Sequence, residues 1–222
     1  MNGWTDSQLF DHMQQVLYTA VICDSLDQLG YRHQAMNERI RPLTAERARM
    51  VGRAKTILAA DVYHIPANPY DKEIAAIDSI RPDEVVVAAT NESKRNGMWG
   101  ELLSTASKMR GARGAIVDGL VRDTEKILEL GFPLHCTGYK PVDSQGRGLV
   151  IDYDCPVEAG GVLVQPGDVI FADRDGVAVI PQALLEQVVE LATAKATGES
   201  HSRRELLEGK LLREVYEKYG VL

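Results

Sequence analysis

The sequence predicts an α/β fold that passes into short antiparallel strands and closes with helices, and three observations predict it. As far as Leu134, helical and strand-like segments alternate, the pattern of helices laid on a sheet. Between residues 149 and 180, short β-branched runs are separated by Gly160-Gly161, Pro166-Gly167-Asp168 and Asp175-Gly176, a turn chemistry that joins strands. From Pro181 to Tyr219 the periodicity is amphipathic, charged and helical.

Taken in order, Leu9–Leu29 reads as one helix, with Val16, Ala20, Ile22, Cys23, Leu26 and Leu29 on or near one face and Gly30 as its stop. Met50–Ala60 reads as a strand, Asp71–Ile80 as a short helix and Arg81-Pro82-Asp83 as a turn. Glu84–Ala89 is a buried strand by its valine density. Thr90–Gly97 is a polar loop. It leads to a helix that begins at Trp99–Leu103, runs to about Arg110, and carries an apolar stripe of Leu102, Leu103, Ala106 and Met109.

Ala115–Val117 is a short strand, Asp118-Gly119 a turn, and Thr124–Leu130 a helix closed by Gly131. Phe132-Pro133-Leu134 opens the next strand. Leu149–Asp154, Val157, Val162–Val164, Val169–Phe171 and Val177–Ile180 then form an antiparallel layer beside the α/β part. Pro181–Gly198 and Ser202–Tyr219 are the closing helices. With no low-complexity linker and no internal repeat, residues 1–222 are expected as a single domain, 181–222 being its helical extension.

Composition narrows the function. Twenty-five basic against thirty-two acidic residues give a net charge of -7, without a Lys/Arg-rich run, so nucleic acid is not an expected partner. No apolar run approaches the roughly 18–20 residues of a membrane span, and Met1–Gln8 lacks a signal-peptide core. A cytoplasmic protein without membrane contact is expected. Cys23, Cys136 and Cys155 are odd in number and have no CxxC spacing, which reads as three free thiols. The five histidines show neither HxH nor HExxH spacing, which disfavours a His-ligated zinc site.

Two stretches can carry chemistry. Arg122-Asp123 follows a strand and precedes a helix, and ligands of open α/β sheets bind outside strand C-termini. There the Asp can hold a hard cation through oxygen, and the Arg can fork onto a carboxylate or carbonyl. The plainer alternative is an Asp that caps the next helix and an Arg paired on the surface. The second stretch, Asn96–Leu103, sets Gly97 and Gly100 at a helix start, where backbone N–H groups and the helix dipole favour an anion. Glu101 lies in that first turn, where it either serves the metal's waters or simply complements the dipole. Pro141–Arg147 with Asp143, and Tyr63–Pro69 with His64, read as structural loops, the first near a pocket mouth.

Taken jointly, Gly100–Ala106 and Arg113–Thr124 resemble the signature of the RraA-like family, which includes the 4-hydroxy-4-methyl-2-oxoglutarate and 4-carboxy-4-hydroxy-2-oxoadipate aldolases. The resemblance extends through Arg39–Leu43, Gly161–Asp168, Ala172–Val177 and Tyr216–Gly220. It implies a layered α-β-β-α sandwich of the swivelling β/β/α type, assembled as trimers or dimers of trimers. It also implies a lyase dependent on Mg2+ or Mn2+ that yields pyruvate from a 4-hydroxy-2-oxo acid and decarboxylates oxaloacetate.

By position, the resemblance makes Asp123 the metal-binding acid and Arg122 the substrate-binding and catalytic arginine. Gly100, Leu102 and Leu103 become the binding site of the pyruvyl carboxylate. Glu101 becomes an acid ordering metal waters, and Glu199 its helper from a neighbouring subunit. Lys126 departs from the family, which usually has an acid there; Glu125 lies one place early. Two other readings stay open: a Schiff-base aldolase using Lys94 or Lys108, and a non-catalytic protein regulator, since some RraA-like members inhibit RNase E.

Overall fold

The computed structural model describes residues 3–220. The strand β2 (Met50–Asp61) organises it. Its first residues pair antiparallel with β10 (Val169–Ala172), its middle pairs parallel with β3 (Glu84–Ala89), and its end pairs antiparallel with β7 (Gly148–Tyr153) across a bulge at Leu58/Ala59. β3 continues into β5 (Gly114–Val121), β6 (Leu134–Tyr139) and β1 (Arg41–Pro42), and β10 into β11 (Val177–Ile180). A short β4 (Gly97–Trp99) pairs with the end of β5, which completes a nine-stranded sheet. β8 (Val157–Ala159) and β9 (Val162–Val164) form a separate hairpin.

Alternation along the strands builds the layers, because successive side chains leave a strand on opposite faces. Val86, Ala88, Ala115 and Val117 pack with Ala76 and Ile77 of α3 (Asp71–Asp78) and Ile127 of α5 (Thr124–Leu130). Their neighbours Val85, Val87, Ala89 and Ile116 meet Ile170, Ala172, Val177 and Val179. The remaining face, Val169, Phe171, Ala178 and Ile180, packs under α1 (Asp6–Val16), α2 (Thr19–Gln28) and α6 (Leu185–Leu207). The sheet thus curls over itself and supplies both β layers of an α-β-β-α sandwich, as the family resemblance implied. The antiparallel strands continue the parallel ones through β2, which contributes to all three apolar spaces.

Several local expectations change. The expected Leu9–Leu29 helix is two helices, because Leu17 and Tyr18 are extended. Asp173 restarts the second by accepting from the Thr19 amide (2.8 Å) and hydroxyl (2.6 Å), a cap supplied from β10's far end. Asp118-Gly119 is not a turn. It lies inside β5, where the register against β6 slips between Val117 and Leu120, the other structure an Asp-Gly in a strand pattern can signal. The closing helices divide at residues 208–211 instead of at Gly198, and α7 spans Leu212–Tyr219.

Helix α4 (Glu101–Met109) turns a different face inward than its sequence suggested. Ser104 and Ser107 are buried and Leu103 and Ala106 pack on the core edge, while Leu102 and Met109 are 77% and 79% exposed. The cause is Trp99. Its buried indole Nε1 donates to Ser104 Oγ (2.8 Å), which in turn donates to the Gly100 carbonyl (3.0 Å). A buried indole N–H needs an acceptor, and this one sets the helix rotation.

Candidate active site

The ends of β4 and β5 build the site. Arg122 donates its backbone N–H to the Trp99 carbonyl (2.8 Å), so the residues after β5 are tied to the entrance of α4. Asp123 precedes α5 in a left-handed conformation (φ 57) and its side chain makes no cap hydrogen bond. The capping alternative therefore fails. A non-glycine residue at positive φ costs on the order of 1 kcal/mol, and here it aims the carboxylate away from its own helix. Asp123 Oδ2 accepts from the Glu101 backbone N–H (3.3 Å) at the start of α4.

Gly100 makes this approach possible. A Cβ there would lie 2.7 Å from Asp123 Oδ2 and 3.2 Å from Arg122 Cγ. Beyond Glu101, the first-turn amides of Leu102 and Leu103 have no partner within the helix, as helix geometry requires. Free amides at a helix start suit an anion, and these lie beside a carboxylate and a guanidinium.

Gly100, Leu102, Leu103, Arg122 and Asp123 all line one cleft of ≈ 550 Å3, completed by Met98, Tyr70, Glu73, Ile74, Asp143 and Ser144. Asp143 Oδ1 lies 3.1 Å from Arg122 Nη2, and Asp123 Oδ2 lies 3.8 Å from Arg122 Nε. Tyr70 donates its hydroxyl to Asp143 Oδ2. Burial works against the Asp143 charge. The Tyr70 hydroxyl, the Gln145 and Ser144 amides and the Arg122 charge together outweigh it and hold the carboxyl below its usual range. The same bond pushes the Tyr70 phenol up. Glu73, only 9% exposed, is pushed up to about 7 by burial and by the Asp143 charge, against the pull of Arg122.

The other candidate residues lie elsewhere. The Glu101 carboxylate accepts from the Thr105 hydroxyl (2.8 Å) and does not line the cleft; only its backbone reaches Asp123. Glu199, on α6, accepts from Tyr18 and also lies outside the cleft lining. Burial and this bond raise the Tyr18 phenol to about 12. Lys94 and Lys108 are exposed, and Lys108 donates to the Leu130 carbonyl (2.6 Å). Neither has the desolvated setting a Schiff-base lysine needs. Lys126 is exposed on α5 and His64 is exposed in its loop. Sequence reasoning missed Tyr70 and Glu73 altogether and left Asp143 in a structural loop.

A family model described as RraA-like (Aldolase/RraA) matches residues 19–179. The chain belongs to the RraA-like family. Among its relatives, Protein DlpA of Legionella pneumophila is 30% identical over 207 residues, which are 90% of this chain and 32% of DlpA, so the chain spans about a third of that protein. A Halalkalibacterium halodurans protein, provisionally named a 4-hydroxy-4-methyl-2-oxoglutarate aldolase, is 28% identical over 89% of each chain. The crystal structure of Streptomyces coelicolor RraAS2, described as an unusual member of the RNase ES inhibitor RraA protein family, superposes with a TM-score of 0.81. It is 30% identical and the match covers 91% of this chain and all of that one (100%).

A divalent cation fits this RraA-like cleft. Asp123 offers a hard oxygen freed from capping, and Gly100 leaves it room. Among the described residues no three His, Cys, Asp or Glu side chains cluster into a cage. A cation at Asp123 would complete its shell with water and substrate oxygens, as Mg2+ readily does. No described helix is long and apolar enough to cross a membrane.

Proposed function

We propose that this chain is a divalent-cation-dependent carbon–carbon lyase that cleaves a 4-hydroxy-2-oxo acid to pyruvate and a carbonyl compound. The observation that carries the reading is Asp123, held at positive φ with its carboxylate turned from its own helix toward the entrance of α4 and beside Arg122. The relative named as an aldolase supports the same chemistry.

In such a cleavage the C4 hydroxyl gives up its proton and C4 becomes a carbonyl carbon. The C3–C4 pair moves toward the keto oxygen as an enolate, and protonation at C3 yields pyruvate. The Leu102 and Leu103 amides bind the substrate carboxylate at the positive end of α4. Arg122 donates to the keto oxygen where charge develops, the placement that favours the transition state over the ground state. Asp143 fixes the guanidinium plane for that contact. Mg2+ or Mn2+ held by Asp123 would supply Lewis-acid stabilisation of the same charge. Loss of CO2 from oxaloacetate passes through the same enolate and belongs to the proposed repertoire.

The proposal includes assembly into trimers or dimers of trimers. Leu102 and Ile74, both largely exposed at the cleft rim, are the apolar surface a neighbouring copy would cover. In that assembly Glu101 and Glu199 would act on the cation through water. A second reading, a protein-binding regulator of RNase E type, is favoured by the likeness to RraAS2.

Pyruvate release from a panel of 4-hydroxy-2-oxo acids and oxaloacetate, with and without chelator, tests the proposal. Turnover that needs Mg2+ or Mn2+ and is abolished by Asp123→Ala is the expected result. Full activity of Asp123→Ala with Mg2+ added would overturn it. RNase E binding with no turnover on any of these acids would favour the regulator.

A further inference from the structure

The charge inventory of the cleft says what kind of substrate tail it accepts. Among its lining residues Arg122 is the one cation, against Glu73, Asp123 and Asp143. The guanidinium is already engaged by Asp143 at 3.1 Å and flanked by Asp123 at 3.8 Å. The other bases of the Asp143 loop, Lys140 and Arg147, donate to the Lys94 carbonyl (2.7 Å) and the Asp143 backbone carbonyl (3.1 Å), and neither is among the lining residues. The wall formed by Tyr70, Glu73, Asp143 and Ser144 therefore offers hydroxyl and carboxyl groups but no cation.

A second carboxylate placed against that wall would face like charge with no counter-ion among this chain's own lining residues, and desolvating such a group without a partner is costly. Hydroxyl groups suit it well. They donate to the Glu73 and Asp143 carboxylates and accept from the Ser144 hydroxyl, so each finds a partner in the inventory of side-chain donors and acceptors. Burial first, and the Asp143 charge second, raise the Glu73 carboxyl to about 7 against the pull of Arg122.

Resting on the lyase reading above, we propose that the part of the substrate beyond the scissile bond is uncharged and hydroxylated. The substrate class is then a 2-oxo-3-deoxy sugar acid, and Glu73 is the residue that selects against a dicarboxylic acid. Cleavage of its C3–C4 bond gives pyruvate and a hydroxyaldehyde, with the C4 hydroxyl proton released and C3 protonated, so no further reactant is required. A dehydratase acting on a sugar acid is the class of reaction that supplies such a compound.

The full-length protein, in its native assembly with Mg2+, is assayed for pyruvate release from 2-oxo-3-deoxy sugar acids and from 4-hydroxy-2-oxoglutarate. Exchange of the pyruvate methyl protons with D2O is followed in parallel. The expected result is a kcat/KM at least about tenfold higher for the sugar acids, carried mainly by KM. Glu73→Gln is expected to narrow that ratio by about tenfold. Methyl exchange with a preference for the dicarboxylate, with neither substrate class cleaved, or with a ratio unmoved by a folded Glu73→Gln, overturns this inference and leaves the lyase reading standing. Absence of exchange and of all cleavage overturns both. The wild-type comparison decides the matter by itself should Glu73→Gln fold poorly.

Discussion

Asp143 pairs with the terminal nitrogen of Arg122, its Oδ1 3.1 Å from Nη2, while Tyr70 donates to its other oxygen and Asp123 Oδ2 lies 3.8 Å from Nε. An arginine at the end of a strand is a long, mobile side chain. One paired with an acid at Nη2 and with a second acid near Nε is restrained. The arrangement makes Asp143 a positioning residue, and it ties the loop after β6 and helix α3 to the chemistry at β5.

Asp143→Asn keeps the shape and removes the charge. Both side chains of the Arg122–Asp143 ion pair are about a third exposed, so their attraction is worth up to about 1 kcal/mol, and kcat/KM is expected to fall by up to about fivefold with little change in the unfolding midpoint. Steady-state kinetics beside a thermal melt check this. Wild-type kinetics in a correctly folded Asp143→Asn protein would remove Asp143 from the site.

Gly100→Ala tests the close approach of α4 to Asp123. The added methyl meets Asp123 Oδ2 at 2.7 Å, with Arg122 atoms at 3.2 and 3.3 Å behind it, so one of them must move. Space, not backbone freedom, is the restraint, since Gly100 is extended at φ -143. The variant is expected to stay folded, to lose at least tenfold in affinity for Mn2+ by calorimetry, and to lose activity in proportion. Unchanged Mn2+ affinity would mean that the Asp123 carboxylate is not where the cation binds.

How much of this could be read from the sequence depended on whether the deciding contact was local. β2, β3 and α5 could be read because valine density, strand-length apolar runs and a glycine stop act over a few residues. The same holds for Arg122 and Asp123, which are adjacent. The break at Leu17–Tyr18 could not be read, because the group that restarts α2 is Asp173, far along the chain. The face of α4 was misjudged because Trp99 selects Ser104 over a leucine. Glu73 had no local signal at all: on its own helix it is one more acid in the first turn. Only the fold brings Asp143 near and takes water away.

Glu73 gives a signed pH dependence of stability. Its carboxyl is raised to about 7 in the folded protein by burial first and the Asp143 charge second, while an unfolded glutamate titrates near 4.3. Between those values the folded state holds the extra proton, so stability is highest on the acid side and falls as pH rises from about 4 to about 7. The full swing from this one residue is on the order of 3 kcal/mol. Glu73→Gln, which cannot ionise, is expected to lose this decline. Urea unfolding of both proteins from pH 5 to pH 8 measures it, and parallel curves would show that Glu73 ionises normally.

The last expectation concerns Lys55, on β2 at the opposite end of the parallel strands from the site. Its ammonium is 2% exposed and donates to both Asp154 oxygens (2.7 Å each) and to Ser79 Oγ (2.8 Å), with the Tyr153 ring 5.0 Å away. All three donors are therefore satisfied. Asp154 is itself at positive φ (52) and 50% exposed, so water can partly replace it. Asp154→Ala strands a buried cation, for which the cost is about 3–5 kcal/mol when no water enters; with water at this rim about 2 kcal/mol is expected. Lys55→Met removes the charge and keeps the stem, and is expected to be nearly neutral. The informative measurement is the double variant by chemical denaturation. If the cost is an unpaired charge, Lys55→Met recovers most of the stability lost in Asp154→Ala, because no ammonium remains to be left alone. If the two losses simply add, the pair acts through packing and backbone strain at Asp154 instead.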